Sequence, residues 1–145
     1  MSIIKMSITT GATATTVATA SIDVPADGTI RAITLGMSFQ DATPAISDAL
    51  SAELTFLSTP QFLTNDARGS LCQTGFNVAF QDAARLVLQG VPFCVLTPIA
   101  VAVAAGERIF LHIQASGADD IDGTATAYLF IDDGLDVGRA QIRRR

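Results

Sequence analysis

Two stretches decide the fold: Glu107-Arg-Ile-Phe-Leu-His-Ile-Gln114 and Thr124-Ala-Thr-Ala-Tyr-Leu-Phe-Ile131. In the first, Ile109, Leu111 and Ile113 alternate with Arg108, Phe110, His112 and Gln114. In the second, Ala125, Ala127, Leu129 and Ile131 alternate with Thr124, Thr126, Tyr128 and Phe130. Successive side chains of a strand point to opposite faces, so each stretch has one aliphatic face fit for a core. The other faces mix polar and aromatic groups, which is unusual for a fully solvated surface. If the two strands are neighbours, Phe110, His112, Tyr128 and Phe130 form one exposed amphipathic patch for self-association.

Outward from these stretches, strand-like runs alternate with turn signals at the roughly 8–12-residue spacing of a sandwich or barrel. Strands are expected over Ile3–Thr9, Thr13–Val24, Thr29–Phe39, Leu50–Ser58, Leu71–Phe80, Arg85–Gln89, Glu107–Ala115 and Thr124–Asp132. Val91–Val103 reads as two short strands or one bent one, because Pro92 and Pro98 interrupt it and proline cannot donate to a ladder. Pro25-Ala-Asp-Gly28 has the chemistry of a hairpin turn, and Ala105-Gly106, Ser116-Gly117 and Asp122-Gly123 mark further corners. No segment sustains a 3.6-residue apolar stripe, although Ala45–Leu50 has room for one helical turn. The expectation is an all-β chain, an antiparallel β-sandwich over residues 1–138 followed by a basic tail at 139–145.

The composition agrees. A chain of 145 residues fits one domain, and 49% hydrophobic against 16% charged residues excludes intrinsic disorder. The most apolar run, Val91 to Ala105, is shorter than the roughly 20 residues a membrane helix needs. Residues 1–8 hold no long apolar run and no cleavage signal, so synthesis in a cytoplasm without a membrane anchor is expected.

Ala104-Ala-Gly-Glu-Arg-Ile-Phe-Leu-His-Ile113 and Gly123-Thr-Ala-Thr-Ala-Tyr-Leu-Phe-Ile131 together resemble the closing strands of compact jelly-roll modules. Tumour-necrosis-factor and C1q-like trimers share the pattern, as do small jelly-roll proteins on the virions of tailed bacteriophages. The resemblance implies a trimeric virion structural protein made in a host cytoplasm. On the capsid surface it would act as a cement or decoration protein in contact with the major capsid protein. The alternative it implies is a carbohydrate- or receptor-binding head module of a phage fibre.

The chemical inventory points away from an enzyme. His112 is the only histidine, it stands mid-strand, and no Gly-x-Ser-x-Gly elbow accompanies it. Asp119-Asp-Ile-Asp-Gly123 and Asp132-Asp-Gly-Leu-Asp136 hold carboxylates around glycines, with Asp120, Asp122 and Asp132 the first candidates for calcium. Neither segment completes an EF-hand loop, and aspartate–glycine pairs are ordinary turn residues, so no metal and no cofactor are expected. Cys72 and Cys94 lack zinc-ligand spacing and read as buried free thiols, with a disulfide conditional on their strands meeting in space.

Charge is segregated. The net charge is −5, yet Arg139, Arg143, Arg144 and Arg145 all fall in the last seven residues. The preceding 138 residues hold five basic and fourteen acidic side chains, a net of −9. An acidic body does not suit nucleic acid. The tail Arg139-Ala-Gln-Ile-Arg-Arg-Arg145 is either a frayed soluble end or an arm that docks on an acidic partner, with Ile142 as an apolar anchor.

Overall fold

The computed structural model describes residues 1–10, 16–41, 49–61, 69–82, 85–91, 93–116 and 121–134. Within these it describes all side chains except those of 39–41, 76–82, 85–91, 116 and 121–122. Ten strands follow one another: β1 (Ser2–Thr9), β2 (Ala18–Asp23), β3 (Gly28–Asp41), β4 (Ala49–Thr55), β5 (Ser70–Asp82), β6 (Arg85–Val91), β7 (Phe93–Leu96), β8 (Val101–Val103), β9 (Arg108–Ser116) and β10 (Ile121–Asp132). No α-helix occurs among the described residues. The expected helical turn at Ala45–Leu50 falls mostly outside them, and its last two residues are strand.

The strands form two five-stranded antiparallel sheets. Sheet A has the order β1-β10-β3-β7, with β8 pairing a different part of β3, and sheet B runs β2-β9-β4-β5-β6. The first strand thus pairs with the last, the second with the last but one, and β3 with β7 and β8. A long antiparallel ribbon wrapped around a core in this way is a jelly roll, an all-β sandwich.

The alternation seen in the sequence becomes two inward faces. Ile4, Ile33, Leu35, Ala127 and Leu129 of sheet A bury against Leu50, Leu54, Ile109, Leu111 and Ile113 of sheet B in one cluster. Each fully buried leucine or isoleucine contributes on the order of 2 kcal/mol. The run from Val91 to Val103 resolves into two strands on either side of Thr97-Pro98.

Two turn readings need correction. Pro25–Gly28 joins β2 to β3, which lie in different sheets, so it is a corner and not a hairpin. Asp27 braces that corner by accepting a hydrogen bond from the Ala105 backbone, 2.8 Å away. Asp122-Gly123 lies inside β10, because Gly123 is where Leu50 packs onto bare backbone. Gly106, by contrast, is a true corner, with φ of 83°.

Candidate functional site

A sandwich offers two outer faces, and here they are treated differently. On sheet B, Thr19, His112, Glu53 and Gln73 stand in one row across β2, β9, β4 and β5. Glu53 and His112 are both 0% exposed, because residues 56–61 lie over them. His112 Nε2 is 3.0 Å from the Leu57 carbonyl oxygen. A carbonyl only accepts, so Nε2 donates, and Nδ1 accepts from the Thr19 hydroxyl at 2.9 Å. The ring also stacks on Phe110, 6.1 Å between centroids and 6° from parallel. Burial pushes the His112 pKa below its usual value, against the opposing effects of the Leu57 hydrogen bond and the Glu53 charge.

The Glu53 carboxyl collects the other half of the network. It accepts from the Gln61 backbone N–H, from the Gln73 side-chain amide, and from Ser70 Oγ at 2.9 Å. Thr55 ties the far end of the same loop, donating to the Gly69 carbonyl at 2.7 Å and accepting from Leu57 N at 3.1 Å. The loop leaving β4 is therefore held down on the sheet by buried polar groups with partners, as buried polar groups require. At Glu53 and His112 this face is covered by its own chain.

The outer face of sheet A is open. Ile3, Phe130 and Ala32 make one row across β1, β10 and β3. Lys5, Tyr128, Thr34 and Val95 make the next, and Ser7, Thr126, Gly36 and Phe93 the third. Ile3 is 60% exposed, Phe93 54%, Val95 48% and Tyr128 37%, with Phe130 half-buried between them. Gly36 leaves room for the Phe93 ring to lie across the sheet, since a Cβ there would sit 3.0 Å from it. Lys5 Nζ stands 5.8 Å from the centre of the Tyr128 ring, and Arg31 lies 3.9 Å from Asp132 at the margin.

The expected four-residue patch is thus not one patch. Tyr128 and Phe130 face outward from sheet A, whereas Phe110 and His112 face outward from sheet B, on the opposite side of the molecule. β9 lies in sheet B and β10 in sheet A, so the two meet across the core and not side by side. His112 itself lies beneath the loop that follows β4 and not on an exposed face.

Alternation over Phe93-Cys-Val-Leu96 would have added Phe93 and Val95 to the open face, and Ile3 follows from the same logic in β1. The Glu53 network had a fainter signal, a single acid in the alternating run Leu50–Thr55. Asp132 points its carboxylate at Arg31 and at the Gly134 backbone N–H. Among the described residues no group of three or more His, Cys, Asp or Glu side chains is placed to hold a metal ion. Asp120 and the tail residues Arg139, Ile142, Arg143, Arg144 and Arg145 lie outside the described residues, as does the Asp122 side chain.

No protein-family model matches the chain, and no curated protein sequence matches it. Among solved structures it is similar to the Eiger TNF of S. frugiperda, at 11% identity and TM-score 0.43, covering 78% of this chain and 65% of that one. The chain therefore spans just under two thirds of that protein. It is also similar to the tomato aspermy virus structure, at 8% identity and TM-score 0.48, covering 92% of this chain and 80% of that one. A third is the P-domain of the Penaeus vannamei nodavirus, at 10% identity and TM-score 0.37, covering 88% and 94%. The jelly-roll assignment itself rests on the strand order and register.

Proposed function

We propose that this chain is a structural subunit of a virion, a cement or decoration protein, and that it assembles with copies of itself through the outer face of sheet A. The observation that carries the reading is the cluster of Ile3, Phe93, Val95 and Tyr128 exposed on that face beside the half-buried Phe130. Adjoining exposed apolar groups of this kind favour a protein contact over solvent.

Charge leaves this face open to a second copy as the occupant. The chain carries −5 overall, so two copies repel over most of their surfaces. Among the described side chains this face carries Lys5 and, at its margin, Arg31 beside Asp132, so like chains meet there with less repulsion than the net charge alone implies. A trimer is the stoichiometry that the resemblance of the closing strands implies. The cement role accounts for a sandwich with exposed apolar side chains gathered on one outer face.

Light scattering tests the assembly. The intact chain is expected to run as a trimer at neutral pH, and Phe93→Asp or Phe130→Asp to shift it toward monomer with unchanged circular dichroism. A wild-type chain that stays monomeric at high concentration overturns the interface. Quantitative mass spectrometry of particles from a virus encoding the chain tests the role: copy numbers comparable with the major capsid protein support it, and absence from the particle overturns it.

A further inference from the structure

We propose that Cys72 and Cys94 form a reversible disulfide between the two sheets, which fastens β7 to the opposite side of the sandwich under oxidising conditions. Both cysteines are free thiols and both face inward. Cys72 continues the core row Leu111–Leu54 across sheet B onto β5. Cys94 continues the core row Ala127–Leu35 across sheet A onto β7. The two rows belong to one apolar cluster, and β5 and β7 approach within 8 Å between Cα atoms. A disulfide needs Cα atoms within about 7 Å, a separation that the approach of β5 to β7 brings within reach.

The place of β7 gives the bond a consequence. This strand is four residues long and borders sheet A through β3 alone. It carries Phe93 and Val95 on the open face. Cys72 and Cys94 lie 22 positions apart, so the bond closes a loop that contains β6.

The chemistry is ordered by exposure. Cys94 is half-buried and Cys72 is buried, and burial together with the neighbouring thiol raises the Cys72 pKa far above the usual thiol range. The Cys94 thiolate therefore reacts first. It attacks one sulfur of a small-molecule disulfide, forming a mixed disulfide and expelling one thiolate. Cys72 then loses its proton to solvent and attacks Cys94 Sγ, expelling the second thiolate. The two protein thiols are oxidised to a disulfide while the small disulfide is reduced to two thiols. A thiol held protonated makes the second step slow and faster with rising pH.

The test incubates the folded full-length chain with oxidised glutathione. Expected are a product two hydrogens lighter, a cross-linked 72–94 peptide pair in a non-reducing digest, and a Tm raised by on the order of 10 °C. Dithiothreitol should reverse all three, Cys94→Ser should abolish all three, and the closing rate should climb with pH. A stable glutathione adduct on wild-type Cys94, a disulfide between two chains, or thiols that oxidise only after unfolding would each overturn the proposal.

Discussion

Glu53 and His112 are cross-strand partners on β4 and β9, and both are fully buried although their side chains stand on the face turned away from the core. The loop after β4 makes this so, and its hold on the sheet runs through these two side chains.

Glu53→Ala is expected to lower the unfolding free energy by ~3 kcal/mol, because the Gln61 N–H, Ser70 hydroxyl and Gln73 amide lose their shared acceptor. Glu53→Gln, which keeps one acceptor oxygen, should cost less. Urea denaturation of the two variants gives the ranking, and an alanine variant as stable as wild type would remove the loop anchor from the account.

His112 makes stability depend on pH in a defined direction. Its folded pKa lies below the ordinary histidine value of about 6.5, so between the two values the unfolded chain binds more protons. Stability from this group is fully present above the ordinary value and declines as pH falls toward the folded one, at no more than about 1.4 kcal/mol per pH unit. His112→Gln should flatten that part of the profile. Thermal melts from neutral to mildly acidic pH give the slopes, and equal slopes in both proteins would count against a buried neutral ring.

Gly123 and Gly106 separate two reasons for glycine. A Cβ at Gly123 would come within 2.6 Å of Leu50 Cδ2, whereas at Gly106 it meets nothing but has φ of 83°. Gly123→Ala is expected to cost ~2 kcal/mol by overpacking a fully buried leucine. Gly106→Ala should cost about 1 kcal/mol from backbone conformation alone. The reverse order in chemical denaturation would show that Leu50 moves aside.

The sandwich was legible because Ile109, Leu111 and Ile113, and Ala125, Ala127, Leu129 and Ile131, alternate so cleanly that each strand declares its core face. Alternation says which way a side chain points relative to its own sheet, not which sheet the strand enters. Alternation alone therefore groups Phe110 and His112 with Tyr128 and Phe130, which stand on the opposite side of the molecule. The burial of His112 was hidden for a further reason: it depends on a loop folding back onto the sheet, a contact with no sequence period. Tyr128 and Phe130 both stand on the outer face of sheet A, as the alternation of β10 requires.

The basic tail gives the last prediction. Removing residues 139–145 takes away four arginines and changes the net charge from −5 to −9. Ahead of this segment, Asp133 engages the Ser2 hydroxyl and the N-terminal amine. The ends of the sandwich are thus fastened to each other before the tail begins, and a chain ending at residue 138 should keep its Tm and its circular dichroism. If the arginines and Ile142 dock on the acidic body of a neighbouring copy, the shortened chain associates more weakly. The salt response carries the sign. Exposed charge pairs are screened over roughly 8 Å at physiological ionic strength, so added salt should loosen the intact assembly. In the shortened chain, where like charges oppose contact through the apolar face, the same salt should tighten it. Light scattering of both chains across a salt series decides the matter, and an intact assembly that strengthens with salt would assign the tail no part in holding copies together.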